Sequence, residues 1–136
     1  MSIACIAIID SQDKLSFIDY YINNEDQVHF KFQTYTALQL ISPALQKKLN
    51  GGTSTEPYLG VLYTIYLPNN DYDVHAYITI TQLKMIIFIK QGTEKLNLLA
   101  IFEKIYGLYR ASNFNPFHQT NLNKLIKPMV VEFNGI

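Results

Sequence analysis

The chain has 136 residues, 49% of them hydrophobic and 16% charged, which suits one globular domain with a single sizeable core and excludes a disordered chain. Eleven basic residues balance eleven acidic ones, so the overall charge offers no footprint for nucleic acid or for an anionic membrane surface. One cysteine rules out a disulfide framework and fits a reducing compartment.

The apolar run "IACIAII" (3–9) predicts a strand covered on both faces, central in its sheet, with Cys5 as a buried and inert thiol. "DSQDK" (10–14) is a polar turn, and "LSFIDYYI" (15–22) alternates well enough to be the hairpin partner. From Phe30 the period changes. Phe30, Thr34, Ala37, Leu38, Ile41, Leu45 and Leu49 recur at three- and four-residue spacings, which predicts one helical stripe. Pro43 lacks an N–H, so the helix either kinks there or restarts with Ser42 as its cap. The stripe keeps its phase across the interruption, which favours the kink.

"NGGTSTEP" (50–57) reads as a loop too short to separate domains. "YLGVLYTIYL" (58–67), "YDVHAYITI" (72–80) and "LKMIIFIK" (83–90) are strand-like runs joined by short polar links, the pattern of an antiparallel meander. Leu98, Ile101, Phe102, Ile105, Leu108 and Tyr109 then fall on one face of a second helix. A last segment, 121–133, is expected to hold a short helix stopping near Pro128. The predicted order is β-β-α-β-β-β-α-(α), an α+β two-layer domain spanning 1–136 with five antiparallel strands.

The chemistry-bearing residues are sparse. Glycine spacing matches no phosphate-binding fingerprint, and the three histidines lie far apart without Cys or carboxylate partners at metal-ligand spacing. Asp73, His75 and Tyr77 share one parity on a strand; with no nucleophile nearby they read as a solvent-facing polar stripe rather than a proton relay. Ten tyrosines and eight phenylalanines come without a basic groove, which points to core and protein contacts and not to base stacking. The longest aliphatic and aromatic run, "MIIFI" (85–89), is far below the ~20 residues of a membrane span. With no signal sequence or lipidation motif, a soluble cytosolic domain is expected. No catalytic residue, cofactor, metal or small-molecule substrate is expected.

Asn115-Pro116-Phe117 follows the second helix directly. The tripeptide is a known ligand for EH domains, yet here Pro116 stops the helix and Phe117 can fold back onto apolar surface, so a structural bend is the favoured reading.

"YLGVLY" (58–63), "DYDVHAYIT" (71–79) and "IFEKIYGLYRASNFNPF" (101–117), with "CIAII" and "VHFKFQTYTAL" (28–38), resemble the sedlin family of TRAPP (trafficking protein particle) complex subunits, nearest to its subunit 2-like branch. The resemblance covers nearly the whole chain. It implies a longin-like (SNARE-like) fold and a non-catalytic scaffolding role in a tethering complex, a Rab guanine nucleotide exchange factor in ER-to-Golgi and Golgi traffic. It also implies other TRAPP subunits as partners and peripheral association with those membranes through the complex.

Such domains commonly dock through the first helix and its adjoining edge strand, which makes Tyr35, Leu38, Gln39 and Ser42 the candidate contacts. The family usually has Leu-Asp and then an acidic pair on this helix, whereas this chain has Leu38-Gln39 and then Ser42-Pro43. A longin-type SNARE regulatory domain or small adaptor subunit is the alternative. A longin SNARE should continue into heptads and an anchor, which do not follow before Ile136. A small hydrolase using His75 or Cys5 would need a paired nucleophile and base.

Overall fold

The computed structural model describes residues 3–22, 25–50, 58–79, 81–91, 98–113 and 126–131. Two strands come first, β1 (Ile3–Ile9) and β2 (Leu15–Tyr20), then helix α1 (Gln27–Asn50). The meander β3 (Tyr58–Tyr66), β4 (Asp71–Ile78), β5 (Lys84–Lys90) and helix α2 (Leu98–Asn113) follow, and residues 126–131 are also helical. The strands form one antiparallel sheet in the order β2-β1-β5-β4-β3, the longin-like arrangement. β5 is central and β1 interior; β2 and β3 are the edges.

Strand parity divides the core in two. Ile3, Ile6 and Ile8 of β1, Met85, Ile87 and Ile89 of β5, and Tyr77 of β4 pack with Ile101, Phe102 and Ile105 of α2 and with Ile126, Met129 and Val130. The opposite faces of the same strands, including Cys5, Ala7, Val74, Ala76, Ile86 and Phe88, pack with Phe30, Ala37 and Ile41 of α1. The sheet is therefore covered on both sides and the molecule has three layers, not the two expected from the element order. All seven residues of β1 are buried, as its unbroken apolar run requires.

Phe30 anchors the α1 side, with its ring 5.1 Å from that of Tyr72 (edge-on) and 5.0 Å from that of Phe88. On the other side Tyr77 stacks on Phe102 at 5.1 Å.

Local chemistry explains the turns. Asp10 Oδ1 accepts from the backbone N–H groups of Gln12 and Lys14, which closes the β1–β2 turn with Asp13 in left-handed geometry. β3 carries two register irregularities, and Gly60 at φ 81° supplies the positive φ beside one of them.

Two proline expectations resolve differently. α1 is one helix through Pro43, as the unbroken phase of its stripe predicts, with no restart at Ser42. The last helix does not stop near Pro128 but runs through it. Asn115, Pro116 and Phe117 lie outside the described residues.

Candidate interaction surface

α1 begins just after Asp26, whose carbonyl accepts from the N–H of His29 at 3.1 Å. The Asp26 side chain, fully buried, reaches across to the β3–β4 link. Oδ1 accepts from the backbone N–H and the Nδ2 of Asn69 at 3.3 and 3.2 Å, and Oδ2 accepts from the Tyr72 hydroxyl at 2.8 Å. Further along, the Tyr63 hydroxyl of β3 lies 3.1 Å from the Gln33 carbonyl and 2.9 Å from its Oε1. These two ties fix α1 in azimuth and place its Gln33 side against the edge strand. Partial burial pushes the Tyr63 phenol up to about 12.

With that azimuth set, the inner stripe is Phe30, Thr34, Ala37 and Ile41, all buried. Thr34 satisfies its hydroxyl by donating to the Phe30 carbonyl at 2.8 Å. The opposite stripe, at i, i+4, i+7 and i+11, is Val28, Phe32, Tyr35 and Gln39. Val28 is 78% exposed and Phe32 72%. Of the residues singled out from the sequence, Tyr35, Gln39 and Ser42 are exposed on this outer side. Leu38 is half-buried and packs against the α1-side core, so it is chiefly a core residue.

Sequence reasoning missed Val28 and Phe32, the most exposed large apolar side chains among those described on the helix. A signal was present. Once Phe30 points inward, helical phase turns Phe32 two residues later to the far side. Starting the helix at Phe30 also left Val28 out of it, whereas the helix begins at Gln27.

α2 provides an internal comparison. Its exposed described positions are Ala100, Glu103, Lys104, Gly107, Arg110 and Ala111, with no large apolar residue among them. Exposed Val, Phe and Tyr thus distinguish α1 from the described part of α2. On the edge strand, Val61 and Tyr66 are also exposed. Their register partners His75 and Asp71 place them on the α2 side of the sheet, away from the α1 stripe.

The residues considered for catalysis are kept apart. Cys5 points to the α1 face and is fully buried, and burial raises its thiol well above the ordinary value. His75 pairs in register with Ile87 and so points to the α2 face. Cys5 and His75 cannot meet across the sheet. His75 is also buried and not solvent-facing as expected, because the sheet's second face is covered by α2 and residues 126–131. Burial lowers the imidazole's affinity for a proton, and Asp73 opposes that shift more weakly.

An open depression of about 610 Å³ at the end of the meander is lined by Leu67, Pro68, Asn69, Asn70, Asp71, Lys90 and Gln91, which include neither Cys5 nor His75. Among the described residues no group of three or more His, Cys, Asp or Glu could hold a metal ion, and no helix is long and apolar enough to cross a membrane.

The site thus consists of a longin-like sheet faced by helices on both sides, with an apolar stripe left open on the first helix. Family comparison makes this specific. The sedlin family model matches residues 8–130, and the chain belongs to the sedlin family. It is similar to the trafficking protein particle complex subunit 2-like protein of Dictyostelium discoideum, at 29% identity over 141 aligned positions that span 98% of this chain and 95% of the relative. The proteins of the same name from Bos taurus and Rattus norvegicus are each 27% identical, over 84% of this chain and 81% of their own length.

Proposed function

We propose that the chain is a non-catalytic assembly subunit of a TRAPP-type tethering complex, the kind of assembly that acts as a Rab guanine nucleotide exchange factor in ER-to-Golgi and Golgi traffic. The observation that carries this reading is the alignment with the Dictyostelium discoideum protein, which spans 98% of this chain and 95% of that protein's length. Residues 1–136 act as one longin-like domain, cytoplasmic and held at the membrane through the complex. The exchange activity belongs to the assembly.

The partner-facing surface in this reading is the outer side of α1, with Tyr35, Gln39 and Ser42 as contacts and Leu38 at their border, extended by Val28 and Phe32. An exposed Phe and an exposed Val one turn apart fit the aromatic-rich centre of a protein interface. The test is affinity purification of the tagged chain from its native cell. Stoichiometric recovery of other TRAPP-type subunits is expected, with loss of recovery on Phe32→Ala at unchanged melting temperature. Purification that returns no such subunits refutes the reading.

A further inference from the structure

The 24 residues of α1 include Lys31, Lys47 and Lys48 and no Asp or Glu. Because the chain as a whole is neutral, its acidic excess lies elsewhere. Lys31 is exposed, three residues from Val28 and four from Tyr35, so its ammonium borders the open stripe; exposed His29 stands one turn from Phe32 on the other side. The carboxylates nearest in sequence are Glu25 and Asp26, both before the helix. Asp26 is turned inward onto Asn69 and Tyr72, which leaves Glu25 as the exposed one. Asp73, on the far side of the sheet, accepts from the Thr64 hydroxyl at 2.7 Å.

We infer that this face of α1 docks an acidic protein surface: an apolar ridge seated over Val28, Phe32 and Tyr35, with a carboxylate opposite Lys31. The inference rests on the reading of the chain as a complex subunit and adds the chemistry of the partner. A second copy of this chain fits poorly. A two-fold contact through α1 would bring together two lysine-bearing helices that contain no Asp or Glu, with Glu25 ahead of each helix as the nearest exposed carboxylate in sequence. An anionic membrane also fits poorly, because surface helices hold to lipid through a row of cations beside their apolar face, and Lys31 alone borders this patch among the described side chains.

The experiment uses the assembly purified from the native cell through a tag on this chain, with substitutions at two exposed positions. Gln39 sits in the stripe, and Gln39→Glu and Gln39→Lys differ mainly in the sign of the charge added. The inference expects Gln39→Glu and Lys31→Glu each to reduce retention of companion subunits at least tenfold in moderate salt. Lys31→Gln should reduce it less, and Gln39→Lys should leave it unchanged or higher, all at wild-type melting temperature. Carbodiimide coupling, which joins an amine to a carboxylate directly, should link Lys31 to an Asp or Glu of another subunit.

Equal behaviour of the two Gln39 variants overturns the inference, as does a Lys31 link only to a second copy of the chain. Flotation of the purified chain with phosphatidylserine vesicles that depends on Lys31 and Phe32 overturns it too. An intact complex insensitive to all the charge variants defeats this inference alone, whereas a wild-type chain that recovers no companion subunits defeats the functional reading beneath it.

Discussion

Replacing Asp26 with Ala tests how α1 is held. The carboxylate is fully buried and accepts from a buried tyrosine hydroxyl at 2.8 Å and from two donors of Asn69. Hydrogen bonds to a charged group are worth about 1.5–3 kcal/mol each, and stranding a buried hydroxyl costs about 1–3 kcal/mol. Asn69 is exposed and regains water when released, so the Tyr72 bond dominates the loss. Asp26→Ala should therefore destabilise by about 2–4 kcal/mol. Asp26→Asn should lose only about 1 kcal/mol, since its amide oxygen can still accept from Asn69 and its NH₂ can donate to the Tyr72 hydroxyl.

Urea denaturation of the purified chain reads both values, and Tyr72→Phe with the double variant closes a cycle that should show coupling near 1 kcal/mol or more, as for residues in direct contact. Amide exchange in the first turn of α1 should accelerate in Asp26→Ala, because the helix start loses its tie to the β3–β4 link. An Asp26→Ala curve within about 0.5 kcal/mol of wild type, the ordinary range of surface substitutions, would refute this account of the helix anchor.

Burial lowers the folded-state pKa of His75 below its ordinary 6.5, so the unfolded chain binds a proton first as pH falls. Stability should decline on acidification below about pH 6.5, and His75→Gln should flatten that decline relative to wild type in denaturation curves taken at several pH values. Tyr63 titrates near 12 when folded and near 10 when unfolded, so its contribution is complete below pH 10 and lost between 10 and 12. Tyr63→Phe should show a smaller loss of stability across that alkaline window. The Cys5 thiol, buried and shifted upward, should react with an aromatic disulfide reagent only at the rate of unfolding; rapid labelling of the native chain would contradict its placement on the α1 side of β1.

Element order was legible because each period is local: the buried run of β1, the meander, and the three- and four-residue spacings of both helices need no knowledge of neighbours. Layering was not. Periodicity identifies a helix's inner stripe but not which face of the sheet receives it, and the two faces differ here only through strand parity read against a register. His75 shows the same limit. Asp73, His75 and Tyr77 look like a solvated stripe along β4 alone, yet they pair with Ile89, Ile87 and Met85, whose apolar side chains require cover on that face. The exposed face of α1 was half legible. The family resemblance singled out Tyr35, Gln39 and Ser42, which are exposed, while Val28 was lost with the start of the helix and Phe32 needed the phase set by Phe30.

Two positions on α1 depart from what folding stability alone would select. Thr34 takes an inner position, where its hydroxyl must be satisfied by the helix's own Phe30 carbonyl, while Phe32, 72% exposed, takes an outer one. Phe32 buries too little surface to stabilise the isolated chain appreciably, and in the unbound molecule it adds apolar area that favours association. The exposed positions of α2, on the same sheet, carry Glu103, Lys104 and Arg110 and show that the chain can clothe a helix in the ordinary way. In the proposed reading a second surface covers the outer α1 face, and the Asp26 and Tyr63 ties matter to that contact because they hold the stripe at a fixed azimuth beside the edge strand. A partner then meets Val28, Phe32 and Tyr35 already aligned, which removes part of the ordering cost that association would otherwise bear.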